Sequence, residues 1–200
     1  MIQNDLDNEC YLLTSTVPPF LRLGQDDFAE LWELHPEKFH KVRTPRGVLV
    51  PTPRWQQAYG KDYVYTGSKN NALPIETLTD PLPVLAELFD WCRREVDGRL
   101  NGVLLNWYDG SLGHYVGKHR DSRTGLLEGT PNVAISCGET RTFRMRPYPY
   151  RSGGEKRDFA VEDGSVVVLP WKTNLLWTHE ITKSKRCTGR RVSITLRAFE

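Results

Sequence analysis

The sequence predicts an α+β fold that is mainly β, a sandwich or jelly roll preceded by a few helices. Two observations predict it. From Gly102 onward the chain divides into short segments with the composition of strands, and glycines separate these segments. Before that point, apolar residues recur at helical spacing between Asp80 and Gly98. Short strands with glycine turns are typical of sandwiches and jelly rolls, so we expect the helix to support one sheet.

The first 78 residues predict an arm, a short helix and a region of loops. Residues 1–25 hold scattered apolar positions and two adjacent prolines, which favour an extended arm. Asp26 or Asp27 can cap a short helix within the N-terminal segment that ends near residue 40. Residues 41–78 are rich in prolines, glycines and aromatics, and this composition indicates short strands and loops.

The segment after residue 78 predicts the longest helix and then the strands. Asp80-Pro81 is a typical helix start, because proline fits the first helical position, and Asp97-Gly98 indicates the end. The apolar stripe between them predicts packing in the core and no functional role. The strands predicted after it are 103–108, 133–136, 142–146, 165–169, 175–179 and 191–199.

Length and composition indicate one soluble domain over residues 1–200. The chain is 38% hydrophobic and 26% charged, which is ordinary for a globular protein. No apolar run reaches membrane-spanning length, and the acidic N-terminus does not resemble a signal peptide. The four cysteines lack C-x-x-C spacing, which favours free thiols in a reducing compartment. We therefore expect a cytoplasmic protein, or a nuclear one in a eukaryote, that is monomeric and has no membrane partner.

The triplet His119-Arg120-Asp121 and the later His179 form the most informative pattern. Two imidazoles and one carboxylate are the ligand set of non-haem Fe(II) sites that leave positions open for a co-substrate and O₂. Residues two apart on a strand face the same side, so His119 and Asp121 can point to one metal ion. His-x-Asp alone is a weak signal, because a lone histidine is more often a structural residue.

The segment from Arg191 to Arg197 strengthens this interpretation. Its polar residues alternate with valine, isoleucine and leucine, so both arginines share one face. Two guanidinium groups suit a dicarboxylate such as 2-oxoglutarate, and six residues of strand span roughly 20 Å, which the diacid and two extended side chains can fill. Asn106 and Tyr108 share a face of the strand 103–108 and can also hydrogen-bond a carboxylate. The alternatives are a solvated edge strand and an ordinary core strand.

Together these residues resemble the AlkB family of Fe(II)- and 2-oxoglutarate-dependent dioxygenases, and most closely its branch that repairs duplex DNA. The family pattern is N-x-Y, then H-x-D, a distal histidine and a closing R-x-(N/S)-x-T-x-R. The chain carries Asn106-x-Tyr108, His119-x-Asp121, His179 and the run from Arg191 to Arg197. The resemblance extends from about Arg43 to Phe199. It implies a double-stranded β-helix (jelly-roll) core over 102–199, N-terminal support helices and a nucleotide-recognition lid over 41–78.

The resemblance also implies Fe(II), 2-oxoglutarate and O₂ as cofactor and co-substrates. The iron-binding, and in that sense catalytic, residues would be His119, Asp121 and His179. The residues for 2-oxoglutarate would be Arg191, Tyr108 and Ser193 at its distal carboxylate, with Arg197 and Asn106 near the carboxylate that chelates iron. The implied reaction oxidises the N-methyl group of an alkylated base and releases it as formaldehyde.

A base in a duplex must be flipped out before such an enzyme can reach it. Four aromatic residues upstream of the motifs are candidates to stack on that base, and Arg54 is a candidate to contact its edge or a phosphate. The aromatic candidates are Trp55, Tyr59, Tyr63 and Tyr65. For each aromatic residue, the alternative is ordinary packing.

Two features depart from the repair branch. Its members usually carry an acid two residues after the iron-binding aspartate, where this chain has Arg123. A cation there would repel a cationic methylated base, so we expect Arg123 to line the substrate pocket and to disfavour such bases. The alternative is that Arg123 points to solvent or pairs with Asp109 or Glu128. The stretch 44–49 lacks the aromatic wedge of the duplex-repair branch, which favours single strands or free nucleotides.

The net charge is only +2, but basic residues cluster locally. The clusters are Lys41, Arg43 and Arg46; Arg141, Arg144, Arg146 and Arg151; and Lys183, Lys185, Arg186, Arg190 and Arg191. Such clusters suit a phosphate-bearing partner, although a charge run is often only a solvated face. The leading hypothesis is a dioxygenase that demethylates alkylated nucleic acid. The alternatives are the same chemistry on a nucleoside, a nucleotide or another small molecule, and an inactive jelly-roll binding module.

Overall fold

The computed structural model describes residues 1–44, 46–65, 67–149 and 155–200. The strands are β1 Ile2–Asp5, β2 Tyr11–Thr16, β3 Lys41–Arg43, β4 Leu49–Pro51, β5 Trp55–Tyr59, β6 Tyr63–Tyr65, β7 Ser68–Asn70, β8 Ala72–Leu73, β9 Gly102–Asp109, β10 Val116–His119, β11 Asn132–Gly138, β12 Arg141–Pro147, β13 Arg157–Val161, β14 Ser165–Leu169, β15 Trp177–Ile181 and β16 Arg190–Arg197. The helices are α1 Gln25–Glu33, α2 Glu76–Thr79, α3 Pro83–Glu95 and α4 Trp171–Leu176. None of the helices in these ranges is long and apolar enough to cross a membrane.

Two sheets form the body of the fold. The major sheet has eight strands in the order β1-β2-β14-β11-β16-β9-β5-β8, and the minor sheet has four in the order β10-β15-β12-β13. Apolar side chains of both sheets meet in one buried cluster, which includes Leu12 and Val167 of the major sheet and Met145 and Ile181 of the minor sheet. The sheets therefore face each other, which confirms the jelly-roll architecture expected from the sequence.

The other face of the major sheet is covered by α1 and α3. Alternate residues of β16, Val192, Ile194 and Leu196, pack in this second core with Leu88 and other residues of α3. Each such side chain contributes roughly 1.5–3 kcal/mol when it is fully buried. Because β16 lies between β11 and β9, its polar alternate residues are buried as well, facing the minor sheet. The alternative of a solvated edge strand is therefore wrong.

The N-terminal segment is part of the major sheet, so the expectation of an extended arm is wrong. β1 folds back on β2, and β2 pairs with β14 about 150 residues later in the chain. Asp7 fixes the turn between β1 and β2, because its carboxylate accepts the backbone N–H groups of Glu9 and Cys10. The same carboxylate accepts the indole N–H of Trp177 at 2.8 Å, which ties the hairpin to the start of β15.

The helix boundaries differ from the predicted ones for local reasons. The N-cap of α1 is Gly24 and not Asp26 or Asp27 as predicted. Asp27 lies in the first turn, and its carboxylate accepts the backbone N–H of Gly24 at 2.9 Å. The long helix α3 begins at Pro83, since Asp80 still belongs to the end of α2. The predicted strand 175–179 begins only at Trp177, because the preceding residues form α4.

The predicted lid region contains two small hairpins, β3–β4 and β6–β7. The Ser68 hydroxyl donates to the backbone carbonyl of Lys41 at 2.6 Å and joins them. β5 and β8, which lie in the same stretch of sequence, belong to the major sheet, so the predicted lid is too long. Pro45 and Thr66 of the predicted lid region lie outside the described residues, as does Arg151 of the second basic cluster.

Candidate active site

A pocket with about 730 Å³ of empty space, part of it open to solvent, lies between the facing sheets. One wall consists of the polar face of β16 with its neighbours β9 and β11, and the opposite wall includes residues of β10, β12 and β15. Most of the site residues predicted from the sequence line this pocket. They are Arg54, Tyr65, Asn106, Tyr108, His119, Asp121, His179, Arg191, Ser193 and Arg197. Tyr63 lines it as well, whereas three predicted residues, Trp55, Tyr59 and Arg123, do not.

Three potential metal ligands converge at one end of the pocket. One donor atom from each of His119, Asp121 and His179 lies within 4.8 Å of the others. The two histidines are cross-strand partners on β10 and β15, and their ring centroids are 4.3 Å apart. His119 is the last residue of β10, so Asp121 approaches from the loop that follows and not from the same strand. This set matches the two-histidine, one-carboxylate ligands of non-haem iron sites.

The charge states of these groups suit metal binding. Burial, together with the neighbouring His119, lowers the pKa of His179 to about 3, so its imidazole is neutral and keeps a lone pair at neutral pH. The Nδ1 atom of His119 lies 2.9 Å from the Gly117 carbonyl, and a proton held there leaves Nε2 available for a metal ion. Burial alone would raise the pKa of Asp121, but Arg197 and the two histidines hold it well below its usual value.

Four residues make further contacts that fix the position of the aspartate. Its Oδ2 accepts the side-chain N–H of Asn132 at 2.7 Å and that of Arg197 at 2.9 Å, and its Oδ1 accepts the Tyr63 hydroxyl at 3.4 Å. Asn174 of α4 bonds the backbone of Asp121 twice, with its Oδ1 on the N–H and its Nδ2 on the carbonyl. Oδ2 is thus held by Asn132 and Arg197, while Oδ1 is the oxygen nearest the two histidines.

Sequence reasoning did not identify Asn132 or Asn174. Asn132 begins β11, and every second residue after it, Ala134 and Ser136, also lines the pocket. The alternation of side chains along this strand could therefore have identified Asn132 as a pocket residue. Asn174 lies in a short helix between β14 and β15, and no pattern in the sequence marks it.

The opposite end of the pocket is built from paired residues of neighbouring strands. Tyr108 of β9 pairs with Arg191 of β16, and Asn106 pairs with Ser193 one step further along. Paired residues share a face of the sheet, so all four side chains line the same cavity. Ser136 of β11 lies next to Ser193 on the other side of β16, so Asn106, Ser193 and Ser136 are neighbours across three strands.

Arg191 is buried at this end with hydrogen-bonding capacity to spare. Its Nη2 donates to the Ser136 hydroxyl at 2.7 Å, and its guanidinium lies 5.0 Å from the centre of the Tyr108 ring. Its Nε and Nη1 atoms are buried and have no protein partner. A buried guanidinium with unpaired N–H groups costs free energy unless an anion meets it, so this end of the pocket fits a carboxylate.

Arg54 and Asn106 form a link between the two ends. The Arg54 Nε donates to the Asn106 side-chain oxygen at 2.7 Å, and Arg54 is only 5% exposed. The guanidinium therefore belongs to the interior of the pocket. Arg54 can therefore contact only a part of a substrate that enters the cavity.

Tyr59 does not reach the pocket, so its predicted role in stacking on a base is wrong. It pairs with Val103 on β9, and both residues pack in the core beneath α1 and α3. Burial there raises the pKa of the Tyr59 hydroxyl to about 12. Successive residues of a strand face opposite sides, and Tyr59 is an odd number of positions from Gln56 and Ala58, which face the pocket side.

The other aromatic candidates divide into three situations. Trp55 stacks on His35 and Phe39, with ring centroids at 4.3 and 5.1 Å, and so belongs to a packed aromatic cluster. Tyr63 is buried against Asp121, as described above. Tyr65 is half-buried, lines the pocket and meets His119 edge to face at 5.4 Å. Among the four, Tyr65 is therefore the one whose ring can stack on a substrate beside the metal ligands.

Arg123 is exposed, and it faces a surface depression outside the main pocket. It forms no ion pair with a described acid, so the alternative partners Asp109 and Glu128 do not hold it either. The structure contradicts the prediction that Arg123 lines the substrate pocket, because its side chain is exposed and borders a different depression, beside Asn174 and Leu175. Its charge is screened by solvent and gives no ground to exclude cationic bases.

Comparison with known proteins assigns the family. The sequence profile described as the 2OG-Fe(II) oxygenase superfamily matches residues 25–197. The chain belongs to this superfamily. The match covers the whole pocket, from Arg54 to Arg197. Family membership implies Fe(II), 2-oxoglutarate and O₂, and the clustered triad is the candidate iron site.

Named relatives make the assignment more specific and confirm the resemblance to AlkB-like dioxygenases. The human protein "DNA oxidative demethylase ALKBH2" is 29% identical over 153 residues, covering 72% of this chain and 56% of the relative. The rat "Alpha-ketoglutarate-dependent dioxygenase alkB homolog 3" is 28% identical over 156 residues, covering 75% of this chain and 51% of the relative. The chain thus spans about half the length of the curated relatives it matches.

A solved structure supports the fold alone. The structure of OsALKBH1 superposes with a TM-score of 0.53 at 15% sequence identity, covering 98% of this chain and 100% of that one. The residues present also fit the family's small molecules. Two imidazoles and a carboxylate suit Fe(II), and the unpaired N–H groups of Arg191 suit the distal carboxylate of 2-oxoglutarate.

Proposed function

We propose that this chain is a 2-oxoglutarate-dependent dioxygenase that demethylates alkylated bases in nucleic acid. One observation carries the proposal: the metal triad, Arg191 and Arg197 open onto the same pocket, and Tyr65 of the β6–β7 hairpin reaches its metal end. The names of the relatives support the same reaction. Bound iron, with O₂ and 2-oxoglutarate, would supply the oxidation that turns an N-methyl group into formaldehyde and yields succinate and CO₂.

The protein's own groups bind and orient the reactants. Arg191 and Ser193 bind the distal carboxylate of 2-oxoglutarate, with the Tyr108 hydroxyl beside it. Arg197 sits at the metal end, where its Nη1 is buried and unpartnered while its other nitrogens bond Asp121. It can therefore donate to the second carboxylate without releasing the aspartate. The apolar residues of both sheets exclude water around these charges, which strengthens the interactions.

The lid region provides the contacts for the substrate. We assign the lid to the hairpins β3–β4 and β6–β7, and we assign Tyr65 to stacking on the target base and Arg54 to its polar edge. Tyr65 is close enough to His119 that a base on its ring lies beside the metal ligands. Of the basic residues outside the pocket, Lys41, Arg43 and Arg46 are exposed on the β3–β4 hairpin, where they can meet phosphates.

A single strand is the proposed form of the nucleic acid. The tip of the β3–β4 hairpin exposes Val48 and Leu49, which are 58% and 52% exposed, and carries no aromatic ring. Flipping a base out of a duplex costs a few kcal/mol, and an aliphatic tip replaces little of the lost stacking. A strand that is already unpaired avoids this cost. We therefore expect faster turnover on single strands than on duplexes of the same sequence.

The test measures methyl loss directly. Oligonucleotides with one 1-methyladenine or 3-methylcytosine, offered as single strand and as duplex, are incubated with iron, 2-oxoglutarate and air beside the free methylated nucleotides, and the products are weighed by mass spectrometry. Loss of the methyl mass from the oligonucleotides, fastest on the single strand, is expected. Methyl loss from the free nucleotides alone would assign the enzyme to small molecules, and no conversion of 2-oxoglutarate under any condition would assign a binding module.

Tyr65→Leu and Tyr59→Leu form a matched pair for this assay. Both replace one tyrosine near the lid, but only Tyr65 lines the pocket. Tyr65→Leu should reduce demethylation and leave substrate-independent conversion of 2-oxoglutarate intact, whereas Tyr59→Leu should act through stability alone. We also propose that the chain acts as a monomer, and that it works in a reducing compartment, since its four cysteines are free thiols.

A further inference from the structure

A second arginine lies buried behind the distal end of the pocket. Arg141, the first residue of β12, is 2% exposed, and its guanidinium lies 5.9 Å from the centre of the Tyr108 ring. Arg191 lies 5.0 Å from the same ring. Tyr108 is thus in contact range of two guanidinium groups. The proposed function uses only one of them.

Alternation along β12 separates Arg141 from the basic residues that follow it. Phe143 and Met145 share its face and pack between the sheets. Arg144 and Arg146 face outward and are neutralised there by Asp158 and Glu180. Of the described residues in this basic cluster, two therefore form ion pairs and one is a buried cation without an ion pair.

Arg141 is held in place without being neutralised. Its Nη2 donates to the backbone carbonyls of His114 and Thr182, at 2.8 and 3.1 Å. His114 lies just before β10, and Thr182 lies just after β15. Its Nε and Nη1 atoms are buried and have no partner. Carbonyl groups orient a guanidinium, but they carry no net charge that could balance it.

The distal end therefore holds two positive charges, neither of which forms an ion pair with a described acid. None of the ion pairs among the described residues includes Arg141 or Arg191. Burial lowers the pKa of Arg191, and the charge of Arg141 lowers it further, although Tyr108 opposes this. Like charges in an enclosed region repel strongly, since little water screens them. An anionic group of a ligand beside Tyr108 removes this repulsion.

We propose that Arg141 is a positioning residue that makes the pocket select ligands with a second, distal carboxylate. It acts through its charge and through Tyr108, without touching the ligand. This inference rests on the proposed use of 2-oxoglutarate. It adds that discrimination between a diacid and a monoacid depends on two arginines rather than on Arg191 alone.

The test compares two ligands that differ only at the distal end. Dissociation constants of 2-oxoglutarate and of 2-oxopentanoate, which has a methyl group in place of the distal carboxylate, are measured by calorimetry on iron-loaded protein without O₂. Arg141→Gln keeps an amide donor for the carbonyls but removes the charge. It should weaken 2-oxoglutarate about tenfold, equivalent to about 1.4 kcal/mol, and leave 2-oxopentanoate within about twofold.

Two control variants separate charge from structure. Arg141→Lys keeps the charge, so it should retain the preference for the diacid within about threefold; loss of that preference would overturn the proposal even if Arg141→Gln does not fold. Arg93→Gln removes an arginine whose Nε also bonds a backbone carbonyl, that of Leu100, far from the pocket. It should change neither dissociation constant.

The outcomes distinguish this inference from the proposed function. If the wild-type protein does not bind 2-oxoglutarate, both are wrong. If the wild type binds it and prefers it over 2-oxopentanoate, but Arg141→Gln keeps the preference or weakens both ligands equally, the proposed function stands and the role of Arg141 is refuted.

Discussion

The two ends of the pocket hold similar numbers of charged groups but balance them differently. At the metal end, the Asp121 carboxylate is bonded by Arg197 and lies within 4 Å of both histidines. At the distal end, Arg191 donates to the Ser136 hydroxyl at 2.7 Å and forms no ion pair with a described acid. The metal end is therefore compensated by the protein itself, whereas the distal end requires an anion from outside.

This difference shows which part of the site is ready before any ligand arrives. Compensated charges are held in place by one another, so the metal ligands keep their geometry in the ligand-free protein. Uncompensated charges reduce stability but increase the gain when a ligand of opposite charge binds. The same fold thus holds the metal ligands in place at one end of the pocket. At the other end it leaves uncompensated positive charge, which favours binding of a carboxylate.

Removal of a metal ligand should have the largest effect. His179→Ala removes one of three ligands, and its loss should exceed the roughly 10- to 100-fold cost that is typical for residues that only support a ligand. We expect no measurable conversion of 2-oxoglutarate and a large drop in iron affinity, read by metal titration. Full turnover of this variant with added Fe(II) would contradict the assignment.

The contrast in charge balance can be tested on the metal-free, ligand-free protein. Asp121→Asn leaves the buried Arg197 without its counter-charge and should lower the free energy of unfolding by about 3 kcal/mol. Arg191→Met removes a charge that has no partner, so it should lower this free energy by less than about 1 kcal/mol or raise it. Denaturation in urea measures both, and equal losses would show that the two ends are not different.

The same pair gives a pH dependence. The pKa of Asp121 is depressed in the folded protein, so its contribution to stability is present above the usual aspartate pKa and is lost as the pH falls through the depressed value. The wild type should therefore lose more stability between neutral and strongly acidic pH than Asp121→Asn does.

A smaller effect is expected when the positive charge at Arg191 is kept but the planar guanidinium is replaced by an ammonium group. Arg191→Lys retains a cation and loses the planar fork, so it should raise the KM for 2-oxoglutarate about tenfold with a smaller change in kcat. Steady-state kinetics with varied 2-oxoglutarate measures this. An unchanged KM would show that this end of the pocket does not bind the co-substrate.

The smallest effect is expected at Arg123, although it is only two residues from a metal ligand. Because the side chain is exposed and lies outside the pocket, Arg123→Asp should change demethylation of a methylated mononucleotide less than about twofold. Comparison of the two proteins on 3-methylcytidine monophosphate checks this. A large gain with the acidic variant would restore a role for this position in the recognition of cationic bases.

The sequence predicted the two ends of the pocket better than the residues around them. The alternation from Arg191 to Arg197 is sufficient to place both arginines on one face, and the same rule finds Asn132 and separates Arg141 from Arg144 when it is applied to β11 and β12. Tyr59 was misplaced because a short aromatic segment does not reveal which face of its strand is the core face.

Other features could not be predicted from local patterns. Arg123 follows the end of a strand, where the alternation of side chains no longer applies. Asn174 lies in a six-residue helix that periodicity does not detect. The role of the first 16 residues as sheet strands depends on pairing with β14, a partner that is remote in the sequence.

That remote pairing has a consequence for how the protein folds. The β1–β2 hairpin is held by β14 and by Thr173 and Trp177, which bond Tyr11 and Asp7. The hairpin therefore docks only when a partner about 150 residues away along the chain has formed, and contacts of such long sequence separation are slow to form. Asn174, which clamps the backbone of Asp121, lies between these two anchors. The segment 173–177 thus has two structural tasks, because it anchors the hairpin and also holds the backbone of a candidate iron ligand.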